Sequence, residues 1–125
     1  MTSLQHRGVA WSVAVVVTAC AEHSVAPGTP KAGNLDLAPY TTQDDCFDLV
    51  SGDRLDYRFE SNEPVKFNIS YRDSGMVIEP IIRDAVTTDS GVFAVQITSR
   101  YCLTWEAGAA GALINYHAMI RERSQ

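Results

Sequence analysis

The side chains with the most distinctive chemistry in this 125-residue sequence are three cysteines, Cys20, Cys46 and Cys102. A cysteine sulfur can carry a lipid, form a disulfide, bind a metal ion or act as a nucleophile. Cys20 ends an apolar run near the N-terminus, whereas the other two lie among strand-like patterns. No two cysteines have the C-x-x-C spacing of zinc and redox sites. The spacing therefore favours lipid attachment and a disulfide as the chemistry of these residues.

Residues 1–19 have the pattern of an export signal. A polar stretch with one basic residue, Arg7, precedes residues 9–19, which are apolar apart from Ser12 and Thr18. This run is too short to cross a bilayer as a helix, which takes about 20 residues. It has the length of the apolar region of a signal peptide. We therefore expect residues 1–19 to be removed on export.

The end of the run, Val17-Thr18-Ala19-Cys20, resembles the bacterial lipobox, in which an aliphatic and two small residues precede the cysteine that receives diacylglycerol. The resemblance implies a lipoprotein of the cell envelope with Cys20 as the lipid-carrying first residue. Ala21 stands where an aspartate would retain a Gram-negative lipoprotein at the inner membrane, which implies the outer membrane in such an organism. Ordinary cleavage after Ala21 and an uncleaved anchoring segment stay open as alternatives.

Residues 20–45 are rich in proline, glycine, serine and threonine and show no helix or strand periodicity. Such composition is typical of a flexible linker. We therefore expect a lipidated tether over residues 20–45 and a folded domain over residues 46–125.

The domain shows apolar and polar residues in alternation, which places one face of a strand in a core and the other in water. Turn-forming residues separate the runs at positions 51–53, 61–64, 73–75 and 89–91. With further strands at 46–50 and at 76–82, where Pro80 favours a sheet edge, the pattern predicts an all-β fold. We expect a small antiparallel β-sandwich of about seven strands. The apolar phases are Leu55, Tyr57 and Phe59; Val65, Phe67, Ile69 and Tyr71; Phe93, Val95 and Ile97; Tyr101, Leu103 and Trp105; Ile114, Tyr116, Ala118 and Ile120.

A domain of this size gains from a covalent link, because it buries only about 60% of its unfolded surface. Cys46 starts the first expected strand and Cys102 lies in the penultimate one. Export permits their oxidation, and lipidation of Cys20 would leave no odd thiol. We therefore expect a Cys46–Cys102 disulfide, with two buried free thiols as the alternative.

Residues 46–120 resemble the GOLD-type β-sandwich of secretory-pathway cargo receptors. The resemblance rests on apolar spacings and the two cysteines in Cys46-Phe47, Tyr57-Arg58-Phe59, residues 64–69, Gly91-Val92-Phe93 and residues 101–105. In that family a disulfide also links an early strand to a late one. The resemblance implies a noncatalytic domain that contacts protein or lipid, by analogy of fold alone.

Catalytic and ligand-binding patterns are sparse. His117 is out of phase with the apolar residues beside it, so we expect it to face solvent rather than act in catalysis. The carboxylates Asp44, Asp45, Asp48, Asp53 and Asp56 lack EF-hand spacing and are interpreted as a solvated acidic edge rather than a calcium site. The two histidines of the mature sequence form no pair with metal-ligand spacing, and there is no nucleotide-binding fingerprint, so neither a metal nor a cofactor is expected.

Two functions from different classes follow. The first is a lipid-anchored envelope module, without catalytic activity, that binds a protein or glycan partner through a sheet face or through loops near residues 72–75, 83–91 or 107–111. The second is a small secreted hydrolase or calcium-dependent enzyme. The formal charge of −5, without a Lys/Arg cluster, excludes nucleic acid as an expected partner. The scarcity of nucleophile–base and metal motifs favours the binding module.

Overall fold

The computed structural model of this chain describes residues 30–121, with side chains from Lys31 onward. This part contains six strands: β1 (Pro30–Leu37), β2 (Thr42–Leu49), β3 (Arg54–Asp73), β4 (Met76–Ala94), β5 (Ser99–Ala107) and β6 (Ala112–Arg121). All strand pairs are antiparallel, which confirms the all-β antiparallel class. Within the same residues no helix is long and apolar enough to span a membrane. The expected signal peptide, lipobox and Cys20 lie outside this range.

The strands form one sheet in the order β1-β6-β3-β5-β2, with β4 along the opposite edge of β3. β3 takes two partners in turn, because residues 54–61 pair with β6 and residues 65–71 pair with β5. The sheet thereby curls into a half-barrel. The expected sandwich of about seven strands is not confirmed, since residues 30–121 form one continuous sheet of six.

The segment at residues 61–64, predicted to be a turn, lies inside β3. The register of β3 against β4 shifts here, because several β3 residues have no ladder partner on β4. The Ser61 hydroxyl donates to the Glu63 carbonyl oxygen (2.6 Å), and Asn62 accepts a hydrogen bond from the Leu113 amide (2.7 Å). Turn-forming side chains therefore support a bend in one long strand. The predicted turn is wrong, and the two strands expected on either side of it are one.

β4 is continuous through residues 89–91, where a second turn is predicted. That prediction is wrong because Gly91 pairs with Tyr57 in the ladder. A Cβ atom at Gly91 would lie 3.3 Å from the Tyr57 hydroxyl oxygen, so the glycine makes room for a ring. β4 ends at Ala94, and the expected continuation of this strand to Ile97 is also wrong. Pro80 lies in β4, which among the six described strands pairs with β3 alone, so its expected edge position is confirmed.

Residues 30–45, assigned to the flexible tether, form β1 and the first half of β2. β1 pairs along its whole length with β6. Leu37 is buried and Leu35 packs against the core. The tether interpretation is wrong for these residues. The apolar alternation after Gly33 is too short to have predicted a strand. The remainder of the expected tether, residues 20–29, lies outside the described range.

The core fills the inner face of the curled sheet around Trp105, which is fully buried. The Trp105 ring lies 5.9 Å from Phe59, 5.5 Å from Phe67 and 4.8 Å from Tyr116, measured between centroids. These rings come from both halves of the bent β3 and from two further strands. The expected apolar phases are confirmed for β3, β5 and β6, with Tyr71 half-buried, and the expectation that Trp105 belongs to the core is confirmed.

Cys46 and Cys102 form a disulfide, which confirms the expected link and excludes two free thiols. The two residues are directly opposite each other in the β2–β5 ladder. Phe47 and Leu103, which follow the two cysteines in sequence, are buried on the inner face. Because side chains alternate along a strand, the disulfide lies on the outer face. It links the neighbouring strands β2 and β5 through two cysteines that are 56 positions apart in sequence.

The strand connections lie at two ends of the curled sheet. What we call the upper end carries residues 38–41 and 108–111, joined by a hydrogen bond from the Tyr40 amide to the Gly108 carbonyl oxygen (3.1 Å). The lower end carries residues 50–53, 74–75 and 95–98. β1 starts at the lower end, because its first residue pairs with Met119 near the end of β6.

Candidate functional site

The outer face of β6, β3 and β4 carries two adjoining grooves of about 310 and 300 Å³. The ladder register places His117, Arg58 and Ser90 in one row across the three strands. Both grooves share Arg58 and His117. We call these residues, together with the other outward-facing residues that line the two grooves, the groove face; the others are Asp56, Glu60, Thr88, Asn115 and Met119.

Four side chains of the groove face, those of Arg58, Glu60, Ser90 and His117, have no hydrogen bond or ion pair to another described side chain or backbone group. The other polar members are occupied: Asp56 by Arg121 at 2.7 Å, Thr88 by the Phe59 carbonyl at 3.0 Å, and Asn115 by Asn34 at 2.7 Å. The donors Arg58, Ser90 and His117 are spaced by the roughly 5 Å between neighbouring strands, and the acceptor Glu60 lies two residues further along β3. Such a row can hydrogen-bond a polar ligand laid across the sheet.

His117 lies on the outer face and is half-buried, while its neighbours Tyr116 and Ala118 are buried. The expected outward orientation of His117 is therefore confirmed. Its ladder partners are Ala32 and Arg58. The side chain beside the imidazole in the row is therefore that of the cationic Arg58. General-base catalysis on a side-chain nucleophile would instead require that nucleophile within hydrogen-bond reach of the imidazole. This arrangement suits ligand binding.

The five carboxylates interpreted as an acidic edge have separate roles. Asp44 and Asp48 are exposed on β2, which is an end strand of the sheet. Asp53 accepts a hydrogen bond from the Val50 amide (2.9 Å), and Asp56 pairs with Arg121. Asp45 turns inward instead, so a solvated edge describes only part of the group. No set of three or more His, Cys, Asp or Glu side chains within residues 30–121 is placed to hold a metal ion.

Asp45 joins the two end strands of the sheet. Its carboxylate accepts a hydrogen bond from the Tyr116 hydroxyl (2.5 Å) and pairs with the Lys31 ammonium group (2.6 Å). Lys31 is on β1 and Asp45 on β2, so the pair draws the ends of the curled sheet together. Burial, then the hydrogen bond to Asp45 and its charge, raise the pKa of Tyr116 above the ordinary value.

Asp89 makes an equivalent cluster on β4. It accepts a hydrogen bond from the Tyr57 hydroxyl (3.0 Å) and pairs with Arg83 (3.3 Å). Arg83 and Asp89 are on one strand, and their contact spans the register shifts between them. Burial, then the charge of Asp89 and the hydrogen bond to it, raise the pKa of Tyr57 to about 12. The Asp45 cluster thus joins the two ends of the curled sheet, whereas the Asp89 cluster joins β4 to β3.

The segments expected as contact loops differ in structure. Residues 83–91 are part of β4, so that loop prediction is wrong. Residues 107–111 contain the upper connection, and residues 72–75 contain the turn at the tip of the β3–β4 hairpin. Both Ser74 and Gly75 have positive φ, at 54° and 81°. This is the geometry of a tight two-residue hairpin turn.

Sequence reasoning missed the juxtaposition of Arg58, Ser90 and His117. Each is a polar residue in an alternating run, and that pattern marks it only as outward-facing. Their alignment depends on the registers of β3 with β4 and with β6. Those registers join segments that are distant in sequence, and no motif encodes them.

No protein-family model matches this chain, and no curated protein matches it. The resemblances to the lipobox and to the GOLD-type sandwich therefore stay predictions.

Proposed function

We propose that this protein is a lipid-anchored envelope protein whose β domain is a noncatalytic interaction module for a protein or glycan partner. The groove face carries the proposal. Arg58, Glu60, Ser90 and His117 offer unoccupied donors and an acceptor in two adjoining grooves. Polar side chains that make no hydrogen bond within the protein have donors and acceptors available for a ligand.

The chemistry of the groove face favours a polar partner. Arg58 can donate two parallel hydrogen bonds to a carboxylate or to neighbouring hydroxyl groups, and Glu60 can accept from amides and hydroxyls. Both are exposed on β3. The groove lined by Glu60, Thr88, Ser90 and Asn115 has a mainly polar wall, whereas the groove that Met119 lines has a mainly apolar one, so a partner meets hydrogen-bonding groups beside an apolar surface. Peptide and glycan surfaces both provide such groups.

The anchoring part of the proposal rests on the sequence Val17-Thr18-Ala19-Cys20. A lipid on Cys20 would hold the domain at the cell envelope, on the outer membrane in a Gram-negative organism. A GOLD-type sandwich is the finer fold assignment that we propose for residues 46–120. It is supported by the disulfide between an early and a late strand.

A photoreactive diazirine amino acid at position 58 of the full chain tests the binding site in cells. Position 66 is the matched control, because Lys66 is also an exposed, outward-facing residue of β3 but lies beyond the bend. We expect adducts from position 58 alone, and their loss when His117→Ala and Ser90→Ala are combined. Digestion of the adduct with a protease or a glycosidase distinguishes a protein from a glycan.

Equal adducts from positions 58 and 66 would contradict the groove face as the binding site. Turnover of an envelope substrate that is lost in His117→Ala would contradict the noncatalytic assignment and support the enzyme alternative.

A further inference from the structure

The lower end of the domain carries several apolar side chains that the fold leaves uncovered. Eight large apolar residues are exposed within the described part of the chain, and four of them lie at this end. They are Val50, Met76, Val77 and Ile97. Met76 and Val77 follow the tight hairpin turn directly and are 66% and 56% exposed.

Hydrogen bonds hold the connections of the lower end together. The Gly52 amide donates to the Val95 carbonyl oxygen (2.8 Å), and this bond joins the connection that contains Val50 to the one that contains Ile97. The Ser99 hydroxyl donates to the Arg72 carbonyl oxygen (3.1 Å), which joins the hairpin tip to the same group. The four apolar side chains therefore lie on or beside segments that are hydrogen-bonded to one another.

Arginines surround this apolar group. Arg54, Arg72 and Arg100 are exposed within two residues of the lower connections, and none has an ion-pair partner among the described residues. Asp48, Asp53 and Asp73 share the end, so the three arginines are balanced by three carboxylates. Guanidinium groups bind phosphate oxygens in bidentate fashion. Apolar tips with arginines around them are typical of surfaces that dip into a phospholipid headgroup layer.

The position at which β1 begins indicates what covers this end. β1 begins at the lower end, and the proposed lipid site is ten residues upstream, at Cys20. A segment of that length has a root-mean-square reach of about 17 Å as a flexible coil and at most about 35 Å when extended. The upper end lies about 30 Å beyond the lower one, the length of a ten-residue strand. Since the root-mean-square reach is about half of that distance, an anchor on Cys20 holds the lower end nearer to the bilayer than the upper end.

We propose that the lower end is a membrane-contact surface that docks the domain on the phospholipid headgroups beside its anchor. This inference rests on the proposed lipid anchoring and goes beyond it. It sets the orientation of the domain, in which the upper end points away from the bilayer and the groove face lies on the side of the domain. A partner would then be met laterally at the membrane surface.

The test places the full chain in vesicles of phosphatidylethanolamine and phosphatidylglycerol that contain a diazirine-bearing phospholipid, and maps the cross-linked peptides by mass spectrometry. Val77→Asp is compared with Leu113→Asp, because both residues are 56% exposed but Leu113 lies at the upper end. We expect cross-links at Val50, Met76 and Ile97 in the unchanged chain. We expect about tenfold fewer in Val77→Asp, the effect of losing one buried aliphatic contact, and no change in Leu113→Asp.

Equal labelling of the two ends, or no response to Val77→Asp, would overturn the membrane-contact surface. Mass analysis of Cys20 in protein recovered from bacterial membranes separates this result from the anchor. A lipidated Cys20 without lower-end cross-links leaves the anchor standing and rejects the docking. Lower-end cross-links with an unmodified Cys20 reject the anchor and support a contact that the domain makes by itself.

Discussion

The hydroxyl of Tyr116 donates a hydrogen bond of 2.5 Å to the carboxylate of Asp45, a residue 71 positions away in sequence. The Tyr116 ring lies over Gly33 on the neighbouring strand β1, and the two residues are ladder partners. Tyr57 repeats the arrangement over Gly91 on β4, with Asp89 as its acceptor. Each free side of the curled sheet is thus held by a tyrosine, a glycine beneath it and an aspartate paired with a cation.

Replacing Gly33 by Ala is expected to destabilise the domain more than replacing Gly91 by Ala. The new Cβ atom at Gly33 would lie 2.9 Å from Tyr116 Cε1, whereas at Gly91 the closest approach is 3.3 Å, to the Tyr57 hydroxyl oxygen. The buried Tyr116 ring must shift and weaken its bond to Asp45, at a cost of about 1–3 kcal/mol. Urea unfolding of both variants measures the difference. Equal stability of the two variants would refute the close packing over Gly33.

The stability of the domain is expected to fall as the pH rises from about 10 to about 12. The pKa of Tyr57 is near 10 when unfolded and about 12 when folded. In that interval the unfolded state loses its proton first, so deprotonation favours unfolding. Below pH 10 both states are protonated and the stabilisation is complete. The raised pKa of Tyr116 acts in the same direction.

Denaturant midpoints at pH 8 and pH 11 test this dependence. The loss between the two values should be smaller in Tyr57→Phe than in the unchanged protein. Tyr40→Phe is the control, because Tyr40 is exposed at the upper end and its removal should leave the loss unchanged. A loss of the same size in Tyr57→Phe would rule out the contribution of Tyr57.

Gly111→Ala is expected to be more destabilising than Gly75→Ala, although both glycines have positive φ, at 71° and 81°. A Cβ atom at Gly111 would lie 2.6 Å from the Leu37 carbonyl oxygen, which belongs to the backbone and cannot move aside as a side chain can. At Gly75 no described residue other than the two chain neighbours comes within 4 Å of such a Cβ atom. We expect a loss of about 1 kcal/mol at Gly75, from the backbone conformation alone, and several times that at Gly111. Thermal unfolding of the two variants decides the order.

Joint replacement of Cys46 and Cys102 by Ala is expected to lower the free energy of unfolding by about 4 kcal/mol in the chain-entropy description. The β-rich circular dichroism spectrum should persist below the unfolding transition, because the core lies on the opposite face of the sheet. Thiol titration of the unreduced, denatured protein provides the control and should detect neither cysteine. A stability equal to that of the unchanged protein would show that the disulfide contributes little.

Cys20→Ser is expected to abolish incorporation of a labelled fatty acid and to leave the signal uncleaved by the lipoprotein peptidase. The reason is chemical, since the hydroxyl group of serine is a far weaker nucleophile than a thiolate. Metabolic labelling followed by gel analysis measures both effects. Normal processing and release of the serine variant would instead support ordinary cleavage after Ala21.

The sequence by itself determined which residues face inward along most strands, because alternation with a period of two is a local property. Leu55, Phe67 and Trp105 follow from that pattern, as does the outward direction of His117. The Cys46–Cys102 pairing also follows, since these are the two cysteines of the predicted domain, residues 46–125.

Only the tertiary structure decided where the strands end and which of them meet. Turn-forming residues at positions 61–64 and 89–91 lie within strands, because long-range pairing outweighs local turn preference. β1 carries little pattern of its own and is held by β6, and the row of Arg58, Ser90 and His117 exists only through the ladder registers. Register is set by the burial of one face across the whole sheet, a condition that no single segment of sequence can express.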